Sequence, residues 1–90
     1  NMVKRFIYRI IIEKKAEKEA QKIPQKYRHA IDKAILSLSS NPRQPGSKKL
    51  TEKEGYRIRT GDYRILYMID DDAKIVIIYR IKIKGESTYK

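Results

Sequence analysis

The chain has 90 residues, with 22 Lys and Arg against 11 Asp and Glu, so its formal net charge is +11. A chain of this length forms one domain with one modest core, and we expect residues 1–90 to be a single domain. The absence of cysteine excludes a disulfide framework and a thiolate metal site, and no apolar run reaches the ~18 residues of a membrane span. The charge favours nucleic acid, an anionic membrane or an acidic protein as partner, and the narrow apolar stripes of the predicted helices argue against the membrane. The lack of cysteine favours a cytoplasmic setting.

The first half of the chain predicts one strand and two helices. Lys4 to Ile12 alternates its side chains at period two and predicts a strand. Glu13 to Lys22 is rich in helix formers, and Pro24 ends this short helix. Gln25 to Ser39 predicts a second helix. Its apolar residues at helical spacing are Tyr27, Ala30, Ile31, Ala34, Ile35 and Leu38. The two helices should form a hairpin whose apolar side covers a sheet.

The second half predicts three strands after a proline and glycine loop from Asn41 to Leu50. The alternating runs are Tyr56 to Thr60, Tyr63 to Asp70 and Lys74 to Lys84. Turn residues separate them, and we take the acidic run at residues 70–72 as turn chemistry rather than as a metal site. The fold class is therefore α+β with the order β-α-α-β-β-β. In it, a helical hairpin packs on one face of a mainly antiparallel four-stranded sheet.

The register of the last turn decides which side chains share a face, because a slip of one residue exchanges the two faces. Pairing Asp70 with Ala73 would place Arg64 opposite Tyr79 and bury its charge, whereas pairing Asp70 with Lys74 places Arg64 opposite Arg80. The second register is preferred. It gives a core face of Tyr56, Ile58, Tyr63, Ile65, Tyr67, Ile69, Ile75, Ile77, Tyr79 and Ile81. It gives an open face with the apolar residues Leu66, Met68, Val76 and Ile78 beside the cations Arg57, Arg59, Arg64, Arg80, Lys82 and Lys84.

The cations of this open face predict a binding site for a polyanion. Like charges opposite one another destabilise a sheet, and a surface that served only solubility would mix both signs. No acidic residue of the three strands lies among these six cations. Lys48 and Lys49, in the loop before the meander, are expected at the rim of the same face. The alternative is a solvated basic face in a chain that is basic throughout.

Two stretches of the chain closely resemble the RelE group of the RelE/ParE toxin superfamily. The first is the loop with Asn41-Pro42 and PGSKKL at 45–50, and the second is GYRIRTGDYRILY at 55–67. The expected order of elements is also that of the family, so the resemblance spans nearly the whole chain. It implies a type II toxin that enters the ribosomal A site and cuts the mRNA there without a metal or other cofactor. It also implies a cognate RelB-like antitoxin that holds the toxin inactive.

The resemblance also implies roles for individual residues. Arg57 and Arg59 fall where active relatives carry paired cations, often lysines, and Arg64 matches an arginine that contacts phosphate. Tyr89 matches a tyrosine that stacks on the nucleotide at the cut site, and Lys84 best matches an arginine that protonates the leaving group. These five residues are the expected catalytic set, with Lys48, Lys49, Arg80 and Lys82 as further RNA contacts. Arginine stays protonated, so Arg59 is a poor general base and catalysis would depend on orientation and charge.

The apolar residues of the open face predict where the antitoxin binds. Leu66, Met68, Val76 and Ile78 lie beside the cations and suit an acidic amphipathic segment of the partner. The alternative is that the loop from Asn41 to Leu50 folds across them. Two other functions stay open for the whole chain. One is a ParE-like inhibitor of DNA gyrase, and the other is a basic RNA-binding relative without catalytic activity.

Overall fold

A five-stranded sheet with two helices packed against it forms the protein in this computed structural model, which describes residues 7–51 and 53–83. The elements are β1 (Arg9–Ile12), α1 (Lys14–Gln21), α2 (Gln25–Ser40), β2 (Lys48–Lys49), β3 (Tyr56–Thr60), β4 (Tyr63–Asp70) and β5 (Ile75–Ile83). The strand order is β1-β5-β4-β3-β2, in which β1 runs parallel to β5 and the other neighbours are antiparallel. The α+β class and the helical hairpin are confirmed.

The sheet has one strand more than the sequence predicts. Lys48 and Lys49, expected in a loop, form the two-residue strand β2 and pair with Arg57 and Tyr56 of β3. A pair of residues is too short to show the alternation by which strands are recognised in a sequence. The predicted first strand began at Lys4, and its part before Ile7 lies outside the described residues.

The core lies between the helices and one face of the sheet. Ala16 of α1 is fully buried, and its small side chain lets the helix approach the sheet closely. The other buried apolar residues are Ile23, Ile31, Ile35 and Leu38 from the helical segment and Ile58, Tyr63, Ile65, Tyr67, Val76, Ile78 and Ile81 from the strands. Within the described ranges, no helix is long and apolar enough to cross a membrane.

The predicted register between β4 and β5 is wrong. Asp70 pairs with Ile75 rather than with Lys74, so the connection is one residue longer than expected. The Asp70 side chain accepts a hydrogen bond of 3.0 Å from the backbone N–H of Ala73, and Lys74 takes the left-handed φ of 59°. These two features close a turn whose last residue is not part of the strand.

A bulge then shifts the register a second time. Tyr67 pairs with Ile78 and Leu66 pairs with Arg80, so Tyr79 is the extra residue of β5. Before the bulge, the side chains of residues 75–78 lie on the opposite faces from those predicted. After it, Arg80, Ile81 and Lys82 lie on the predicted faces. Arg64 therefore lies opposite Lys82 and not opposite Arg80.

The slip corrects the predicted antitoxin site. Val76 and Ile78 were expected on the open face, but both are fully buried in the core. Ile75 and Ile77 take their places, because they pair with Asp70 and Met68 and share the face of those residues. Leu66 and Met68 lie on the open face as expected.

A polar cluster ties the loop after α2 to the β4–β5 turn. The guanidinium of Arg43 donates to both carboxylate oxygens of Asp71, at 3.2 and 2.9 Å, and its Nε donates to the Tyr56 hydroxyl at 3.1 Å. The Tyr8 hydroxyl donates to the same carboxylate at 2.7 Å. The hydrogen bonds from Arg43 and Tyr8 lower the pKa of Asp71 to about 2.

The cluster predicts a dependence of stability on pH. The folded-state pKa of Asp71 lies below its ordinary value of 3.8. The ionised Asp71 therefore stabilises the folded protein above about pH 4, and this stabilisation is lost as the pH falls towards 2. Asp71→Asn should therefore have a lower melting temperature than the wild type at neutral pH. The gap between the two melting temperatures should narrow between about pH 4 and pH 2. Asp62→Asn is the control, since Asp62 has no ion pair among the described residues. A gap that persists unchanged at pH 2 would contradict the prediction.

Candidate nucleic-acid interface

The face of the sheet away from the helices arranges its side chains in rows, because residues paired on neighbouring strands point to the same side. The two rows nearest the β3–β4 turn are Arg59-Arg64-Lys82 and Lys48-Arg57-Leu66-Arg80. We call these two rows the cation rows. Neighbouring strands are about 4.8 Å apart, so the cations lie in one compact group. The predicted residues Arg57, Arg59, Arg64 and Lys82 are thus brought together.

The cations of the two rows repel one another electrostatically. Burial lowers the pKa of Arg57, and the charges of Arg59 and Arg64 lower it further. The Nε of Arg64 is buried and has no hydrogen-bond partner among the residues that the structure describes. A polyanion would relieve the repulsion and could accept hydrogen bonds from these guanidinium groups.

Among the described residues, Arg80 differs from the other cations of these rows because it has an acidic partner. Its Nη2 lies 2.8 Å from Oε2 of Glu19 on α1, and its Nε donates to the same oxygen at 2.9 Å. The other carboxylate oxygen accepts from the backbone N–H of Ile81 at 2.7 Å. Burial would raise the pKa of Glu19, but the hydrogen bonds from Arg80 and Ile81 lower it on balance. The three strands place no acid among the cations, as expected, but α1 supplies Glu19 as a partner for Arg80.

The position of Glu19 follows from where β1 ends. The last pair between β1 and β5 is Ile12 with Ile78, and the chain enters α1 two residues later. Beyond Ile78, no described strand pairs with this side of β5. Glu19 lies there on α1 and accepts from the exposed edge of the strand. It is a residue of the site that the sequence-based prediction missed.

A polar cleft of about 530 Å³ lies along the edge of β3 and extends the cation rows. Its lining includes Lys48, Arg57, Arg59, Thr60 and Gln44. It forms because β2 pairs with only two residues of β3 and leaves the rest of that edge without a strand among the described residues. The cleft is polar and its lining includes three cations, which suits a polyanion.

The remaining predicted contacts lie elsewhere or outside the structure. Lys49 pairs with Tyr56, so its side chain falls on the helix side of the sheet and not with Lys48. Lys84 and Tyr89, predicted to act in catalysis, lie outside the described residues. Within the described ranges, no three His, Asp or Glu side chains come together to hold a metal ion.

Beside the cation rows lies an apolar strip formed by Leu66, Met68, Ile75, Ile77 and Ile11 of β1. Met68 is 37% exposed and Ile11 is 41% exposed. The loop after α2 does not cover them: Pro42 accepts a hydrogen bond from the buried Tyr67, and Arg43 binds Tyr56 and Asp71. Among the described residues, the strip is therefore a partly exposed apolar surface next to a positive one.

Comparison with known proteins gives a consistent family. The family described as "ParE toxin of type II toxin-antitoxin system, parDE" matches residues 10–87. A curated relative, Toxin RelE of Mycobacterium tuberculosis, is 32% identical over 82 residues, which are 89% of this chain and 84% of the relative.

Two solved structures resemble the fold over most of its length. The toxin-antitoxin complex RelBE2 from Mycobacterium tuberculosis has a TM-score of 0.77 at 29% identity and covers 86% of this chain and 98% of its own. The archaeal RelE-RelB complex from Pyrococcus horikoshii has a TM-score of 0.74 at 26% identity, with coverages of 90% and 99%. The match to the ParE family, the RelE relative and these two folds agree with the motifs on the loop and the meander. The chain belongs to the RelE/ParE superfamily of toxins from type II toxin-antitoxin systems.

Proposed function

We propose that this toxin is a ribosome-dependent endoribonuclease that cleaves mRNA in the A site and thereby inhibits translation. The observation that supports the proposal is the pair of cation rows on the face of the sheet away from the helices. Repulsion among these cations destabilises the folded protein alone. Binding of a phosphate backbone neutralises the cations and relieves that repulsion. The resemblance of the sequence to the RelE group then selects RNA cleavage among the uses of such a surface.

The reaction is an attack of a ribose 2′-oxygen on the adjacent phosphorus, which breaks the bond from phosphorus to the 5′-oxygen. It requires removal of the 2′-hydroxyl proton, stabilisation of the extra negative charge on the phosphorane, and protonation of the leaving oxygen. Arg57, Arg59 and Arg64 supply fixed positive charge for the second requirement. Lys84 or Lys82 supplies the proton for the third, and Tyr89 stacks on the nucleotide at the cut. Fixed cations can do this without a metal when the substrate is held in line.

The first requirement is where this chain departs from its relatives. Arginines occupy the two positions at which active relatives often carry lysines, and a guanidinium does not give up its proton in a protein. The lowered pKa of Arg57 reflects burial and crowding but does not make it a base at neutral pH. Proton removal therefore falls to water or to a ribosomal group, and we expect slow cleavage that depends on the geometry of the A site.

A ParE-like inhibition of DNA gyrase is the second candidate, because the family that matches residues 10–87 is described as the ParE toxin. A translating extract separates the candidates. Cuts mapped by primer extension to codons in the A site would support the proposal, and gyrase-linked DNA breaks in a supercoiling assay would support a ParE-like activity. If neither result is obtained, the remaining candidate is a non-catalytic RNA-binding protein.

The same mRNA without ribosomes provides the control. The cation rows offer charge but no enclosed pocket for one base, so naked RNA should bind in a strongly salt-dependent way and be cut poorly. Efficient cleavage of naked RNA under the same conditions would overturn the dependence on the ribosome.

We further propose that the cognate antitoxin is an acidic, RelB-like protein that covers the apolar strip. The two solved relatives above are complexes of a toxin with its antitoxin. An amphipathic segment with acidic residues would bury Leu66, Met68 and Ile77 and at the same time screen Arg57 and Arg59. Hydrogen exchange should then show increased protection at residues 66–68 and 75–77 on complex formation. Unchanged protection in both peptides would rule out this mode of inhibition.

A further inference from the structure

The bulge of β5 places an aromatic side chain on the open face of the sheet. Tyr79 is the residue without a partner between the pairs Tyr67-Ile78 and Leu66-Arg80. In a bulge the extra residue and the next one project to the same side, so Tyr79 lies on the open face with Arg80. Without the bulge, the alternation would direct either Tyr79 or Arg80 into the core. The bulge thus adds an aromatic ring to a surface of cations.

The ring extends from β5 across β4. A Cβ atom on Gly55, which precedes β3, would lie 3.4 Å from the Tyr79 hydroxyl and 3.5 Å from Cγ of Met68. Since β4 lies between β5 and β3, the side chain must cross β4 on the face that carries Met68. The Cβ end of the Tyr79 side chain lies beside Arg80, in the cation row that also contains Leu66. Its hydroxyl end lies at the apolar strip.

Gly55 makes room for the end of the ring. Its φ of 118° is a conformation that side chains rarely adopt, and a Cβ there would also meet the Tyr67 carbonyl oxygen at 2.8 Å. The Tyr79 hydroxyl beside it is fully buried and has no hydrogen-bond partner among the described residues. The residue as a whole is partly exposed, so its accessible surface lies outside the buried hydroxyl.

The ring also stays neutral among the cations. Burial raises the pKa of Tyr79 above its ordinary value of 10.0, and the charge of Arg80 lowers it only in part. A buried unpaired hydroxyl is unfavourable, and a leucine or phenylalanine would cover β4 without it. Packing alone therefore does not account for tyrosine at the bulge, whereas the position of the ring beside the cation rows suits a ligand that is both aromatic and anionic.

We propose that the ring of Tyr79 is a stacking platform for one base of a single-stranded RNA whose phosphates lie on the cation rows. The inference rests on the proposed function for its ligand and adds a contact to the base. Nucleic-acid surfaces that combine a charged groove with aromatic rings bind single strands in this way, because every base has a face that can stack. Tyr79 is a binding residue in this proposal and takes no part in proton transfer.

The test compares binding of a ten-nucleotide RNA with that of a ribose-phosphate oligomer of equal length without bases, by fluorescence anisotropy at several salt concentrations. The wild type should prefer the RNA, and Tyr79→Leu should reduce that preference by about 5- to 150-fold, the range for one stacked base. Tyr79→Phe should keep it, because the ring remains. The slope of affinity against salt should be the same in all three proteins, since it reports the phosphate contacts.

Tyr27→Leu is the matched control, because Tyr27 is a 45% exposed tyrosine on α2, on the helix side of the sheet. Equal preference in Tyr79→Leu and the wild type would overturn the platform while leaving RNA binding in place. A loss in Tyr79→Phe as large as that in Tyr79→Leu would overturn stacking in favour of a hydroxyl contact. A wild type that binds neither oligomer would overturn the proposed function and the platform together.

A second measurement uses the unaltered protein and so does not depend on how the variants fold. RNA that carries 5-iodouridine should cross-link on irradiation to the peptide that contains Tyr79. Cross-links that map only to other peptides would overturn the proposal.

Discussion

Tyr67→Ala is expected to lower the melting temperature by about 12 to 40 °C, because a large-to-small aromatic change costs about 3 to 5 kcal/mol and each kcal/mol is about 4 to 8 °C in a domain of this size. Tyr67 is fully buried on the central strand, and its ring stacks on that of Tyr56 with the centroids 6.0 Å apart. Its hydroxyl donates to the Pro42 carbonyl at 2.7 Å. The loss is a large part of a total stability of about 5 to 15 kcal/mol.

Tyr67→Phe separates the hydrogen bond from the packing. It keeps the ring and leaves only the Pro42 carbonyl without its donor, which costs about 1 to 3 kcal/mol. Circular dichroism melts of both variants check the prediction. The assignment of Tyr67 as the centre of the core would be refuted by an alanine variant that melts within about 5 °C of the wild type.

The local signals in the sequence predict most of this core correctly. Period-two alternation places Tyr67, Ile65 and Ile58 on one face, and the helical spacing over residues 25–39 predicts the stripe that covers them. The register between β3 and β4 is confirmed as well, including Arg59 opposite Arg64. A two-residue turn permits only one pairing, and Gly61 adopts the positive φ of 61° that such a turn requires.

The register between β4 and β5 could not be predicted in the same way. It depends on a hydrogen bond from the Asp70 side chain and on the left-handed backbone of Lys74, and neither residue type requires that conformation. The bulge at Tyr79 likewise has no glycine to mark it. A slip of one residue was enough to exchange Val76 and Ile78 with Ile75 and Ile77.

The candidate site was predictable where it depends on neighbouring residues of one strand, and not where it depends on the whole fold. Arg57, Arg59 and Arg64 share a face because of alternation and a tight turn. The pair of Arg80 with Glu19 joins residues 61 positions apart and arises only because β1 ends where it does. No pattern within a strand carries that information.

Arg64 also leads to the second large prediction, since it lies on the central strand with Arg59 on one side and Lys82 on the other. Any phosphate on this row lies next to it. Arg64→Ala should therefore nearly abolish mRNA cleavage in a translating extract. The cleavage rate should fall by at least ~100-fold, the typical cost of losing one donor to a developing negative charge. The fold should remain, because the side chain has no ion pair among the described residues and its buried Nε has no partner there.

Two further variants separate the position of Arg64 from its charge. Lys33→Ala removes the same charge from an exposed position on α2, on the helix side of the sheet, and should leave cleavage unchanged. Arg64→Lys keeps the charge but loses the planar fork of donors, so it should recover only part of the activity. Thermal melts of all three should lie within a few degrees of the wild type. Cleavage by Arg64→Ala at the wild-type rate would refute the site, because the centre of the cation rows would then contribute nothing to the reaction.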